Sequence, residues 1–257
     1  MAKFISIHSF RGGTGKSNLT ANLAAVAALR GKRVGIVDTD IQSPGIHVLF
    51  GLDDQKMVHT LNQFLHGECE IEQVAYAVGE TDQQLAGLKM LAKASIWLVP
   101  SSINGDEISK ILKEGYEVRT LNKGLSRIAK ALSLDYLFID THPGLNQETL
   151  LSLAISDVLV IIVRPDQQDL QGTSVTVDVA RKLDVPYMFL AINKVPRKFD
   201  SAQVRQEVQQ KFGVPVAAVL PLSEELVELG SADLFSLLFP NHPWSLALRE
   251  LADAVLI

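Results

Sequence analysis

The 257-residue chain has one cysteine, Cys69, so no intrachain disulfide can form, and the chain suits a reducing compartment. No apolar run approaches the roughly 20 residues that a membrane-spanning helix needs. The densest run, Val158 to Val163, is far shorter, so no integral membrane segment is expected. The apolar start at Phe4 to Ile7 is likewise too short for a signal-peptide core. Excess positive charge is missing too: a net charge of -5 excludes a generally basic nucleic-acid binder and leaves room only for a local patch. No internal repeat, low-complexity tract or Pro/Gly/Ser-rich linker divides the chain, and 47% hydrophobic content over this length suits one large core. A single domain spanning 1–257 is expected.

Short apolar runs rich in β-branched residues are what the sequence does contain. They are Phe4 to Ile7, Val34 to Val37, Ile96 to Val99, Leu137 to Ile139, Val158 to Val163, Tyr187 to Ile192 and Val216 to Leu220. None alternates strictly with polar residues, so they read as strands buried on both faces. Helix-like segments lie between most of them: Ser17 to Arg30, Val118 to Leu132, Gly172 to Leu183, Ala202 to Phe212 and Trp244 to Leu256. The alternation predicts an α/β fold, a mostly parallel twisted sheet with helices on both faces, with ligands at the carboxyl ends of the strands. Residues 52–93 are the least legible, with a helix signal over Met57 to Leu65 and turn signals at Gly79 and Gly87, and no function is assigned to them.

The stretch SFRGGTGKSN, Ser9 to Asn18, follows the first strand and opens the first helix. Glycines at 12, 13 and 15 let successive backbone N–H groups turn toward a phosphate, and the helix N-terminus adds its dipole. Lys16 is placed to neutralise terminal phosphate oxygens and the Ser17 hydroxyl to ligate Mg²⁺. The first glycine of the standard Walker A pattern is absent: Phe10 stands there, and the loop reads Arg11-Gly12-Gly13-Thr14-Gly15-Lys16-Ser17.

That loop resembles the deviant Walker A loop, KGGxGK[ST], of the ParA/MinD family of P-loop ATPases, and further motifs follow in family order. Val34 to Asp40 is an apolar strand ending in two carboxylates, and Leu137 to Gly144 delivers Asp140 and then a mobile glycine. By the resemblance the cofactors are ATP and Mg²⁺. Gly12, Gly13, Thr14, Gly15, Lys16, Ser17 and Asn18 would cradle the nucleotide, and Ser17, Asp38 and Asp140 would serve the metal, the two carboxylates through water. Asp40 would orient the attacking water, which makes Lys16, Asp40 and Arg11 the catalytic set. His142 is read as a packing or locally bonded residue rather than a base. Asn193-Lys194 resembles a base-reading pair, but Pro196 stands where guanine readers carry an aspartate. Two guanine donors left unpaired would cost about 1–3 kcal/mol each, which favours adenine. Asn193, Pro221 and Leu222 would form its pocket.

In the family the cation before the glycines reaches across a two-fold interface to the partner subunit's ATP, so the resemblance implies a homodimer with ATP sandwiched. Here that cation is Arg11, with a longer and wider head group than lysine. Two roles stay open for it: a phosphate ligand in trans, or a local anchor paired with a carboxylate.

Among family branches, the iron-sulfur carriers need cysteine ligands and Cys69 stands alone. The last helix, with one cation against two anions, lacks the basic face of a membrane-lying helix. The expected protein is a cytoplasmic, bacterial-type ATPase switch of the cargo-positioning branch, slow unless a partner protein stimulates it. Nucleoid association through nonspecific DNA binding is expected at Lys194, Arg197, Lys198 and Arg205, because Arg181 to Lys211 holds seven cations against three anions. The rival is a MinD-like or regulatory docking protein that binds ATP and hydrolyses little.

Overall fold

The computed structural model describes residues 1–53, 55–80 and 85–257; Asp54 and 81–84, in the segment given no function from sequence, lie outside the described residues. In chain order the elements are β1 (Lys3–His8), α1 (Lys16–Leu29), β2 (Val34–Asp38), α2 (Leu61–Leu65), β3 (Tyr76–Ala77), α3 (Ala86–Met90) and β4 (Ile96–Val99). Next come α4 (Gly105–Glu114), α5 (Val118–Ala131), β5 (Tyr136–Asp140), α6 (Gln147–Ala154), β6 (Val158–Val163) and α7 (Gln167–Lys182). The chain then continues through β7 (Tyr187–Val195), α8 (Ser201–Phe212), β8 (Val216–Pro221), α9 (Glu224–Glu228), α10 (Phe235–Leu238) and α11 (Pro243–Val255).

The strands form one sheet in the order β3-β4-β2-β5-β1-β6-β7-β8, parallel except for the short β3, which pairs antiparallel with β4. All seven strands expected from sequence are present. Their continuous apolar character has a direct cause. In β5, Tyr136 and Phe138 join the core under α1 and α11, while Leu137 and Ile139 join the core under α5. In β6 the same alternation sends Val158, Val160 and Ile162 to the first face and Leu159, Ile161 and Val163 to the face covered by α7 and α8. A strand covered on both sides has no polar face to display.

Several elements differ from expectation, and α4, α6, α9 and α10 lie outside the helix-like segments read from sequence. The helix signal over Met57 to Leu65 yields only α2, started at Thr60 by a reciprocal bond pair with Gln63. Gly87 is not a turn but lies inside α3, where its N–H donates to Asp233 Oδ2 at 2.9 Å. β3 is two residues long and carries too little pattern to read. α7 begins at Gln167, five residues before Gly172, because Asp166 caps it by accepting from the Asp169 N–H at 3.0 Å. Gly172 therefore sits in mid-helix, a position that disfavours glycine by about 1 kcal/mol relative to alanine. Its tenant explains it: the Phe10 ring lies where a Cβ at 172 would be.

The terminal helix α11 packs as expected, burying Trp244, Leu248, Leu251 and Val255 against β8 and α1. Among the described residues no helix is long and apolar enough to cross a membrane.

Candidate active site

β1 runs through the middle of the sheet, and its carboxyl end releases the chain into the glycine loop. Gly13 and Gly15 have φ of 73° and 94°, in the left-handed region that disfavours side chains. A Cβ at Gly15 would also stand 2.7 Å from Asn193 Nδ2, so this position has both a backbone and a packing reason for glycine. Lys16 follows at the first position of α1 and is buried.

Three carboxylates converge on the same end of the sheet. β2 and β5 are adjacent and in register, so Asp38 and Asp140 lie side by side at their strand ends. Asp38 accepts from the N–H groups of Asp40 at 3.0 Å and Gly45 at 3.2 Å. Asp140 accepts from Thr20 Oγ1 at 3.3 Å and also faces the Ser17 hydroxyl. Asp40 Oδ1 is buried without a hydrogen-bond partner, with His142 Nε2 3.8 Å away. Burial pushes the Asp38 carboxyl well above the usual range, and neighbouring Asp140 adds to the rise. Burial raises Asp140 to about 6 despite the opposing pull of Lys16 and Ser17, and it raises Asp40 against the pull of His142 and Lys16.

Buried carboxylates of this kind are stabilised by a cation, and one lysine against three is a deficit. Among the described residues no three His, Cys, Asp or Glu side chains form a metal cage. Mg²⁺ keeps several waters and takes substrate phosphates as ligands alongside one or two protein groups. The donor set of Ser17, Asp38 and Asp140, together with the orphaned Asp40 oxygen, therefore suits a hard divalent cation.

His142 accords with the sequence reading. Its Nδ1 donates to the Pro143 carbonyl at 2.6 Å, which leaves Nε2 toward Asp40. The segment after Asp140 is tied to the glycine loop where the Gly144 N–H donates to the Ser9 carbonyl at 3.1 Å.

Arg11 takes the local arrangement in this single chain. Its guanidinium hydrogen-bonds Gln168 Oε1, and its Nε is 3.7 Å from Asp169 Oδ1. Asp169 is itself buried and held by Arg164 through bonds of 2.7 and 3.1 Å. Neither Asp169 nor Gln168 stood out in the sequence; the signal available was the acidic residue three positions into a capped helix.

On the base side the placement differs from expectation. Asn193 is buried and spends its amide on the loop: Nδ2 donates to the Thr14 carbonyl at 2.8 Å and Oδ1 accepts from the Lys194 N–H at 2.9 Å. Asn18 likewise turns away, donating to Ser231 Oγ at 3.1 Å. Pro221 and Leu222 do meet this end of β7, since the Leu222 N–H donates to the Val195 carbonyl at 2.8 Å.

Two of the four residues expected in a basic patch, Lys194 and Arg205, are bonded within the chain. Lys194, in the left-handed region at φ 58°, reaches back to the Gly13 carbonyl at 2.8 Å and clamps the glycine loop. The Arg205 guanidinium lies at the other end of β8, bonded to the Val216 carbonyl and 3.3 Å from Glu250. At about 3.3 Å per residue, the length of β8 separates the two sites by roughly 16 Å. Arg197 and Lys198 are exposed in the turn that follows β7, at the Lys194 end, with Lys198 Nζ 5.4 Å from the Phe199 ring centre.

Two further buried residues escaped the sequence reading. Thr20 bridges the Lys16 carbonyl and Asp140. His8 bonds Thr141 Oγ1 at 2.8 Å, and burial beside Lys16 lowers it to about 3, so it is neutral.

A parallel sheet whose central strand ends in a glycine loop, with a buried lysine and strand-end carboxylates around it, defines a P-loop nucleotide-binding protein. A family model described as an AAA domain matches residues 2–185, and the chain belongs to that family as a ParA/MinD-type ATPase. It is 29% identical over 237 residues to the flagellum site-determining protein YlxH of Helicobacter pylori, covering 92% of this chain and 71% of that protein. It is 26% identical over 261 residues to the iron-sulfur cluster carrier protein of Pyrococcus horikoshii, covering 97% and 84%. Among solved structures, septum site-determining protein MinD from Pyrococcus horikoshii OT3, complexed with Mg-ADP, matches with a TM-score of 0.80 at 21% identity. That match covers 99% of this chain and 96% of the other, and it establishes the fold.

Proposed function

We propose that this chain, acting as one ATPase domain, is a cytoplasmic ATP-dependent switch that dimerises on ATP and positions or partitions a cellular cargo. It hydrolyses ATP slowly until a partner protein stimulates it. The observation that carries the reading is the convergence of Lys16, Asp38, Asp40 and Asp140 at the carboxyl ends of three neighbouring strands.

In this reading the backbone N–H groups of Gly12 to Ser17 hold the triphosphate, and Lys16 neutralises its terminal oxygens. Ser17 would hold Mg²⁺ directly, with Asp38 and Asp140 binding its water shell; the ion supplies charge neutralisation on the phosphates. Asp40 accepts a hydrogen bond from the water that attacks the γ-phosphorus and fixes its direction. Its unpartnered Oδ1 suits that task because no protein donor competes for it. Arg11 leaves Gln168 and Asp169 in the dimer and reaches the partner subunit's nucleotide. Asn193 forms the floor beneath the base through its hold on Thr14, and Pro221 and Leu222 form its edge. The likeness to an iron-sulfur carrier does not bring that cargo, since each chain offers a cluster only Cys69. Nonspecific DNA contact would use Arg197 and Lys198, which are exposed beside Lys194, itself exposed but bonded to the Gly13 carbonyl.

The test is Asp40→Ala. The variant should bind ATP as tightly as wild type, lose turnover by about 10²-fold or more, and persist as a dimer in light scattering with ATP and Mg²⁺. Undiminished turnover, or a monomer where the wild type dimerises, would overturn the assignment.

A further inference from the structure

The groove between the α4–α5 hairpin and α6 carries chemistry that the nucleotide site leaves unused. It encloses about 300 Å³ and runs on into a second hollow of about 440 Å³ that shares Tyr116 and Gln147. Ile41 and Gln42, the residues that follow Asp40, form its inner wall. Leu112 and Tyr116 line one side, and Asn146 and Glu148, soon after Gly144, line the other.

Glu148 is the feature that asks for a ligand. It is half-buried in the first turn of α6, and burial raises its carboxyl above the ordinary range. Asn146 Nδ2 donates to it at 3.3 Å, the Tyr116 hydroxyl and His142 lie beside it, and the Asp40 carboxylate repels it. Among the described residues no lysine or arginine pairs with it. Leu112, on the lip, is 58% exposed, a large apolar side chain left in water at the mouth of the same cavity. At the outer end Glu117 and Arg119 oppose each other in charge, so Glu148 sets the sign of the inner groove.

We propose that this groove binds a segment of a partner protein that presents an arginine or lysine next to an apolar residue. The cation meets Glu148 and the apolar group covers Leu112. A half-buried carboxylate that no lysine or arginine pairs with gains a charge-assisted hydrogen bond when such a cation arrives, and an exposed leucine gains burial. The occupant would touch the segments after both Asp40 and Gly144. This gives partner binding a physical route to the water-orienting carboxylate, and in that consequence alone the proposal rests on the switch reading above.

Benzamidine, a flat apolar cation, and benzamide, its neutral isostere, are suitable probes, with the whole chain observed by NMR in the absence of nucleotide. Benzamidine should shift the signals of Leu112 and Tyr116 and bind about tenfold more tightly than benzamide, the value of one charge-assisted bond. Glu148→Gln should abolish that preference, and the exposed Leu112→Ala should weaken both probes equally. Circular dichroism establishes that each variant is folded. Equal binding of the two probes, or a preference that survives Glu148→Gln, overturns the proposal. Self-association that shields Leu112 while benzamidine gains no advantage assigns the groove to a second copy and also overturns it. Failure of the switch reading is separate: ATP turnover would be absent while the benzamidine preference remained.

Discussion

At its inner end the phosphate loop is held by several contacts. Asn193 presses on Gly15, Lys194 holds the Gly13 carbonyl, and Lys16 is buried beside carboxylates. At its outer end Phe10 and Arg11 lean on α7, and the Arg11 side chain is 42% exposed. Two cations five residues apart in one loop thus sit in opposite environments. Buried, hydrogen-bonded charges cost about 3–5 kcal/mol to strip of a partner, whereas exposed ion pairs are worth about 0–1 kcal/mol. The inner end is buried and the outer end is open to solvent, which is the arrangement that the role proposed for Arg11 across a dimer interface would need.

Lys16→Ala breaks the comparison at its fixed end and should have the largest effect. The loop would hold a triphosphate without its main counter-charge while three carboxylates remain nearby. ATP affinity should fall by more than about 100-fold, the equivalent of roughly 3 kcal/mol. Titration calorimetry with an unchanged ATP affinity would remove Lys16 from the site.

Arg11 tests the mobile end. Arg11→Ala should lower turnover by about 10³-fold, within the range for an arginine supplied to phosphoryl transfer, with ATP binding largely retained. Mixing Arg11→Ala with Lys16→Ala chains creates one composite site holding an intact Lys16 and a partner's intact Arg11. Recovered turnover in the mixture is the expected result. A mixture no more active than either parent means that Arg11 works only within its own chain.

How much of this the sequence could disclose depends on what kind of contact is involved. The glycine loop, Lys16 and the strand-end aspartates were legible because their chemistry is local: each depends on residue type at a fixed spacing along one strand-loop-helix unit. Residues that act by long-range contact were not. Asp169 meets Arg11 only because β6 lies next to β1, and Lys194 meets Gly13 across 181 positions. A count of charges along the chain likewise could not show that Lys194 bonds the Gly13 carbonyl and Arg205 the Val216 carbonyl. The segment 52–93 resisted reading for another reason: its elements are two to five residues long, too short for any periodicity to repeat.

Phe10 and Gly172 offer a milder test of how the outer end is seated. Alanine is the better helix former, yet Gly172→Ala places a methyl where the Phe10 ring lies, and overpacking of this sort costs about 1–3 kcal/mol. The melting temperature should fall by about 2–4 °C per kcal/mol for a domain of this size. Adding Phe10→Ala should restore part of the loss, giving a favourable coupling between the two sites in a double-mutant cycle. Independent, additive losses would mean that the ring is free to move aside.

The smallest expected effect concerns Glu148, which extends the comparison to the groove. Its folded carboxyl is raised by burial, with His142 and Tyr116 pulling it down and Asp40 pushing it up. A group raised on folding adds stability that is complete below its unfolded value near 4.3 and is lost as pH climbs through the folded value. Wild-type protein should therefore lose stability relative to Glu148→Gln as pH rises from about 4 toward 7, because glutamine has no proton to release. The melting temperature of the wild type minus that of the variant should drift downward across that window and level off above it. Both proteins share Asp38, Asp40, Asp140 and His142, so the difference reports mainly on Glu148. A difference that is flat with pH would mean that the carboxylate is already well compensated in the free chain, leaving the groove no unpaired charge with which to draw a cation.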